Sequence, residues 1–334
     1  MQLRRTVGGD AEAQEAELRA LASLVSVTGA HHGYAALIGS PLLARGKQLA
    51  EQLDRAADLV NLLWAEWAGV DVACRFAEGD PIAEELLDLA ELTEVPVAPV
   101  LGYTAYGISR WHHGDLAAAA EHLDAAKEAA DSIPAETLAA VLFDLDQLRL
   151  SLPFSAYIHD LIGDLEDPEA AYDELVRRLP GDRYWELAVM NFAASGALST
   201  GDLPRAERAA RRGLAADPEG MFAFEAWGRY TAMGLRTNGV TLLASRAHAL
   251  AEAGRLEEAE ASLDDARREL ETYNERYAEP TLLLADAVLR HARGDDPAKV
   301  AKVLAEAAGM ATAQGGHAMA ARIRATAERL GCSV

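Results

Sequence analysis

Two adjacent histidine pairs, His31-His32 and His112-His113, are the side chains in this 334-residue chain best suited by type to hold a metal. Their spacing argues against it. Two ligands on one helix face must stand three or four residues apart, whereas sequence neighbours point about 100° away from each other. No Cys or carboxylate stands at a companion spacing that would close a site, so no metal is expected. The run from Gly39 to Gln48 has the outline of a phosphate-binding loop. Six residues separate Gly39 from Gly46 where four are required, Gln48 stands where Ser or Thr would hold magnesium, and no strand precedes it. The carboxylates Asp264, Asp265 and Glu269 lack the spacing of an aspartate-rich metal motif and have no second motif downstream. A Gly-x-Ser-x-Gly elbow and a His-Glu-x-x-His helix are both absent. The residues point to a non-enzymatic chain with no catalytic residue and no cofactor.

What does recur is a turn. Glycines begin it at Gly79, Gly114, Gly163, Gly201, Gly254 and Gly294, usually followed by Asp and an alanine-rich amphipathic segment. Glycine ends a helix in the left-handed region without a Cβ penalty, and the Asp after it caps the next helix. Beyond the turns lie Leu116, Ala119, Leu123 and Ala126, then Leu203, Ala206, Ala210 and Gly213. The later copies hold Leu256, Ala259, Leu263 and Ala266, then Pro297, Val300, Leu304 and Ala307. Small residues let antiparallel helices approach, and the large one fills the space beside them. Repeats of about 34 residues built this way are of the tetratricopeptide kind. Here the glycines are 35, 49, 38, 53 and 40 residues apart, which predicts an irregular superhelix. The fold expected is all-α, a right-handed α-solenoid of tetratricopeptide-like hairpins forming one domain over 1–334, with a possible subdomain break at 151–166.

Composition agrees. Half of the residues are hydrophobic, only 6% are aromatic, and no stretch alternates like a strand. A net charge of −22 disfavours direct nucleic-acid binding, which relies on neutralising phosphates. The basic run Arg205, Arg208, Arg211 and Arg212 reads as a solvated helix face. Cys74 and Cys332, the second in a tail expected to fray, form no disulfide framework, which suits a reducing cytosol. Neither a signal-length apolar run nor a membrane span is present, so the expected setting is cytoplasmic.

Along the chain, Asp10 is expected to cap a first helix ending near Gly29. Helices follow over 41–57 and 59–78, then from Pro81 to Thr93, and Val95-Pro96-Val97 breaks the pattern before Tyr103, Tyr106 and Gly107. The stretch 134–165 is the least regular, with Pro134 and Pro153. Asp167 caps and Pro168 opens the next helix. Helices over 183–199, 203–216 and 219–235 come next, Asn238 caps another, Pro280 opens the penultimate hairpin, and the last helix spans 317–330. Trp64, Trp67, Trp185 and Trp227 are read as packed between helices.

In a solenoid of this type the first helix of each hairpin lines a concave binding surface. Counting back from the turns places Glu66, Thr104, Trp111, His112, Asn191, Ser195 and His248 there. Trp111, His112, Asn191, Ser195 and His248 are the candidate partner-binding residues. Asn191 and Ser195 stand one turn apart, and an Asn amide can both donate to and accept from an extended backbone.

From Glu15 to about Gly331 the order of segments resembles the tetratricopeptide region of ATP-dependent bacterial transcriptional regulators of the SARP and LuxR/MalT-like kind, and of related cyclase-associated ATPases. The residues carrying the resemblance are Glu51 to Asp58, Leu63 to Trp67, Glu85 to Thr93, Gly102 to Leu123, and Gly294 to Gly315. The resemblance implies a sensor or autoinhibitory module that contacts a protein segment or a small-molecule effector. Neither a Walker A motif nor a basic DNA-reading helix-turn-helix occurs, so the chain reads as an excised domain or a stand-alone relative. A self-associating scaffold, as a homo-oligomer, is the alternative, and an all-helical enzyme a lesser one.

Overall fold

Helices account for the regular structure of the described residues. The structure, a computed structural model, describes residues 2–134, 150–178, 183–216 and 238–334. Among the described residues there are fifteen α-helices and no strand. The first six are α1 (Gln2–His32), α2 (Pro41–Gln52), α3 (Ala56–Val72), α4 (Phe76–Leu92), α5 (Ala98–His112) and α6 (Leu116–Ser132). Then come α7 (Ser151–Ile162), α8 (Pro168–Arg178), α9 (Arg183–Thr200), α10 (Leu203–Ala216) and α11 (Gly239–Glu252). The last four are α12 (Leu256–Tyr273), α13 (Glu279–Arg293), α14 (Pro297–Ala313) and α15 (His317–Arg329). No helix among the described residues is long and apolar enough to cross a membrane.

The turn repeats because one backbone motif repeats. At Gly114, Gly201, Gly254, Gly294 and Gly315 φ is positive. In each case the next N–H reaches back to a carbonyl five residues earlier: Asp115 to Arg110, Asp202 to Ala197, Arg255 to Leu250, Asp295 to Arg290, Gly316 to Ala311. This is the Schellman closure of a helix end. Two more copies carry no glycine. Asp54 (φ 53°) and Cys74 (φ 56°) occupy the left-handed position, with Arg55 donating to Ala50 and Arg75 to Val70. The turn expected at Gly79 is therefore displaced to Cys74. Gly79 lies inside α4, where a Cβ would come 3.3 Å from a Val70 methyl and 3.8 Å from the Trp67 ring, so it serves close packing on α3.

Capping follows the same rule with local exceptions. Asp115, Asp167 and Asp202 accept from Ala118, Ala170 and Arg205 N–H groups, as Asp at the N-cap should. Asp10 does not begin a helix, because α1 already runs from Gln2. Asn238 sits left-handed and does not cap α11 with its side chain. The carboxylate of Glu275, 37 and 35 residues away, accepts from Asn238 and Val240 N–H instead, at 2.6 and 3.1 Å. The Asn238 amide oxygen takes the Tyr277 hydroxyl at 2.7 Å.

The chain divides into two compact units. Of the described residues, the first unit holds 2–109, 122–134 and 150–151, and the second holds 110–121, 152–178, 183–216 and 238–334. One crossing falls between Ser151 and Leu152, just before Pro153, which lies in the first turn of α7. In the first unit α1, α2 and α3 share a core of Leu18, Val25, Leu37, Leu43, Leu49 and Leu62, and α4 packs on α3. Trp64 and Trp67 are interior there, as Trp185 is in the second unit. Trp227 and the helix expected over 219–235 lie outside the described residues.

In the second unit α9 pairs with α10, α11 with α12 and α13 with α14. The small and large repeat positions Ala259, Leu263, Ala266, Val300, Leu304 and Ala307 are all fully buried there. A leucine buried to that degree contributes roughly 1.5–3 kcal/mol. The α10 copy departs from the pattern: Leu203 is 57% exposed and Ala210 is exposed, while Arg205, Ala206 and Ala209 turn inward.

An open solenoid packs each repeat on its neighbours alone. The second unit adds a long-range arrangement, because α15 and the turn before it lie along the turns of earlier hairpins. Gln314, Ala318 and Arg322 are spaced by four and press on Gly114, Gly163 and Gly201, where any Cβ would overlap them. Arg322 donates to the carbonyls of Leu198 and Ser199 at 2.6 and 3.0 Å, closing the exposed end of α9. Cys332, just past α15, is buried rather than frayed, with its N–H bonded to Ala327.

A left-handed Asp costs more than glycine in the same turn. Asp54 is exposed and makes no cap, so Asp54→Gly should raise the unfolding free energy by about 0.5–1 kcal/mol. Denaturant midpoints at unchanged slope measure it, and a lower midpoint would refute the strain.

Candidate functional site

The second unit carries a cleft of about 390 Å³ bounded by the ends of five helices. Its floor is Asp160 on α7 and Arg205 on α10. The turn residues Gly163 and Thr200, the N-terminal residues Asp167, Pro168 and Glu169 of α8, Asp202 before α10, Arg208, and Ala318 of α15 complete the wall. The residues that build it are local helix-end residues, so the repeated turn places them.

The floor is a buried ion pair. Asp160 is 3% exposed and accepts two bonds from the Arg205 guanidinium, at 2.7 and 2.8 Å. Arg205 also donates to the Thr200 hydroxyl at 3.1 Å, and the Tyr172 hydroxyl lies 3.5 Å from Asp160. Burial works against the Arg205 charge, but the hydrogen bonds and charge of Asp160 outweigh it and raise its pKa. Burial, then the Asp160 charge, pushes the Tyr172 phenol well above its ordinary value. Gly196 on α9 makes room: a Cβ there would overlap the carboxylate.

Three arginines of α10 face carboxylates on neighbouring helices in order. Arg205 meets Asp160, Arg208 makes two bonds to Glu169 at 3.0 and 2.8 Å, and Arg212 pairs with Asp173 and with Glu186. Arg211 pairs with Glu207 on its own helix. The basic run read as a solvated face is therefore neutralised along its length, and Arg205 is interior. The hydrogen bonds from Arg208 hold Glu169 below the usual carboxylate range. Four carboxylates against two paired guanidiniums leave the cleft net negative. Among the described residues the arrangement offers acceptors and no free cation, which fits a ligand group that donates hydrogen bonds and carries positive charge.

The structure scatters the residues singled out in the sequence. Trp111 and His112 are interior, 1% and 0% exposed. Trp111 stacks on Tyr277 with ring centroids 4.3 Å apart and meets Tyr157 edge-on at 5.6 Å. Phe154 and Phe192 extend the cluster. This aromatic packing fastens the end of α5 to the segment before α13, and neither side chain opens to a surface. Thr104, also buried, donates to the Val100 carbonyl, and Glu66 pairs with Lys47. Asn191 is exposed on α9 and Ser195 half-buried one turn later.

His248 is mostly enclosed, 3.4 Å from Glu252, which in turn binds Arg329 at 2.6 Å. Burial, then the charge of Arg322, lowers its pKa. Arg322 itself is pushed down to about 10 by burial, with Glu252 opposing. A second, smaller cavity of about 30 Å³ lies among Tyr157, Ser199, Thr241, Tyr277 and Gln314. It has room for a water molecule or so and not for an effector. Among the described residues no three His, Cys, Asp or Glu side chains converge as a metal site.

Sequence reasoning missed the cleft because Asp160 and Arg205 are 45 residues apart. The only local signal was the pair of N-caps, Asp167 and Asp202. Removing one partner of a buried ion pair costs about 3–5 kcal/mol, so Asp160→Ala should destabilise by that much while Arg208→Ala at the rim changes little. Chemical denaturation decides, and equal effects would disprove the ranking.

For His248 the sign is set by a lowered folded pKa. Below its ordinary 6.5 the unfolded chain takes up a proton that the native state refuses, so stability is present above 6.5 and is lost as pH falls from there toward the folded pKa. His248→Gln should remove that part of the pH dependence, measured as unfolding free energy against pH. No protein-family model matches this chain, and no curated protein is significantly similar to it.

Proposed function

We propose that this chain is a non-enzymatic interaction module of helical hairpins, of the tetratricopeptide type, and that it serves a bacterial transcriptional regulator by binding a partner segment. The cleft in the second unit supports the binding role. Its walls are the turns of two hairpins and its floor is locked by the Asp160–Arg205 pair, so the acceptors on Asp167, Glu169 and Asp202 are held in place before a ligand arrives. Preorganised groups lose little entropy on binding. The partner chemistry that matches is a peptide segment carrying Lys or Arg, because the four carboxylates lining the cleft outnumber its two guanidiniums even with Arg208 on Glu169 and Arg205 on Asp160 and Asp202. Burial of Trp111 and His112 moves the expected contact surface away from them and toward this rim.

A fluorescein-labelled peptide of alternating Lys and Ala, with a Glu-and-Ala peptide as control, tests the reading by anisotropy. The Lys peptide should bind and weaken with added salt. The double variant Asp167→Asn, Asp202→Asn retains helix capping, since Asn caps as well as Asp, yet should bind several-fold more weakly. Equal binding of both peptides, or unchanged affinity in the variant, would exclude the cleft as the contact surface.

A further inference from the structure

Four helices of the second unit each bring a hydroxyl-bearing side chain to the smaller cavity. Tyr157 of α7, Ser199 of α9, Thr241 of α11 and Thr281 of α13 line its volume of about 30 Å³, and each is 7% exposed or less. Two of the four lack a protein partner. The Tyr157 hydroxyl and the Thr241 Oγ1 are buried and make no hydrogen bond among the described residues. Other threonines of this chain avoid that state by bonding back along their own helix. Thr104, Thr200, Thr272 and Thr312 each donate to the carbonyl four residues earlier. Thr241 stands in the first turn of α11, so the carbonyl four residues earlier precedes the helix. A phenol is too far from its own backbone to use one. Ser199 lies near enough to Tyr157 to oppose the rise that burial gives its pKa, yet it is outside hydrogen-bonding geometry.

We propose that this cavity is a hydration site, in which an ordered water bridges the Tyr157 and Thr241 hydroxyls with Ser199 and Thr281 as its further partners. A water needs about 10–15 Å³ and two to four polar partners, and both conditions are met with room for about two. The ligand must be neutral, because among the described residues no charged side chain lines the cavity. The Tyr277 hydroxyl and the Gln314 amide nitrogen are already engaged, by Asn238 and by the Arg276 carbonyl. Burial keeps the Tyr157 phenol protonated, so it donates to the water, and the Thr241 hydroxyl can rotate to accept or donate. Bridged in this way, two hydroxyls that neither helix can satisfy become a polar joint between α7 and α11.

A crystal structure of the full chain, at a resolution that shows ordered solvent, tests the site directly. A solvent peak within hydrogen-bond distance of both Tyr157 Oη and Thr241 Oγ1 is expected. A cavity without density, or either hydroxyl bonded directly to another protein group, would overturn the proposal. Stability gives a second readout, decided by sign. Thr241→Val exchanges the hydroxyl for a methyl group of similar shape. With a bound water the exchange removes a hydrogen bond and leaves the water short of a partner, so the denaturant midpoint falls. With a dry, unpartnered hydroxyl the same exchange relieves a buried polar group, and the midpoint rises. Tyr157→Phe should act in the same direction as Thr241→Val. Because both hydroxyls hold one water, the double variant should lose less than the sum of the two single losses. A midpoint raised by either change, or losses that add in full, would count against a shared water.

Discussion

The Asp160–Arg205 pair is the interaction on which the second unit turns. Burying two charges costs several kcal/mol per ion, and their attraction offsets that only with near-ideal geometry and with the remaining lone pairs engaged. Both conditions are met: two guanidinium bonds, a threonine hydroxyl on the arginine, and a tyrosine hydroxyl beside the carboxylate. Because these groups come from α7, α8, the end of α9 and α10, the pair fixes how four helices meet. It also accounts for the irregular α10 copy. Once Arg205 must face inward, the buried stripe rotates to Ala206 and Ala209, and Leu203 is left outside.

The second constraint is the helix-ending turn. Each left-handed residue exposes backbone at a sharp corner, and in the second unit those corners become docking points. Glycine at 114, 163 and 201 lets α15 and the turn before it approach closer than a Cβ would allow. Arg322 then directs its donors to two backbone carbonyls and not to a carboxylate, which is why burial lowers its pKa. His248 lies in the same environment, where burial and then the Arg322 charge lower its pKa.

Much of the secondary structure was legible. Repeated small residues at Ala119, Ala206 and Ala259 predicted buried helix faces, and they are buried. Asp115, Asp167 and Asp202 predicted caps, and they cap. These signals are local, carried by spacings of three and four. The misreadings were local rules overridden at a distance. Gly79 looked like a turn but is a packing glycine, Cys74 made the turn without one, and Asn238 yielded its capping role to Glu275. Trp111 and His112 fell at positions that would line a groove in a regular repeat, and aromatic partners from α7 and the segment before α13 enclosed them.

That the regular structure of the described residues is all helical, and where most of those helices end, follows from the order of residues alone. Helix periodicity, capping and the left-handed turn each depend on neighbours within one or two turns. The strongly acidic character is likewise a property of composition. Which arginine is interior, which carboxylates form a cleft and which glycines serve packing became definite only when the helices were assembled. Those outcomes rest on pairs such as Asp160 with Arg205 and Arg322 with Leu198, tens of residues or more apart, whose meeting is fixed by how helices pack and not by any spacing along the chain.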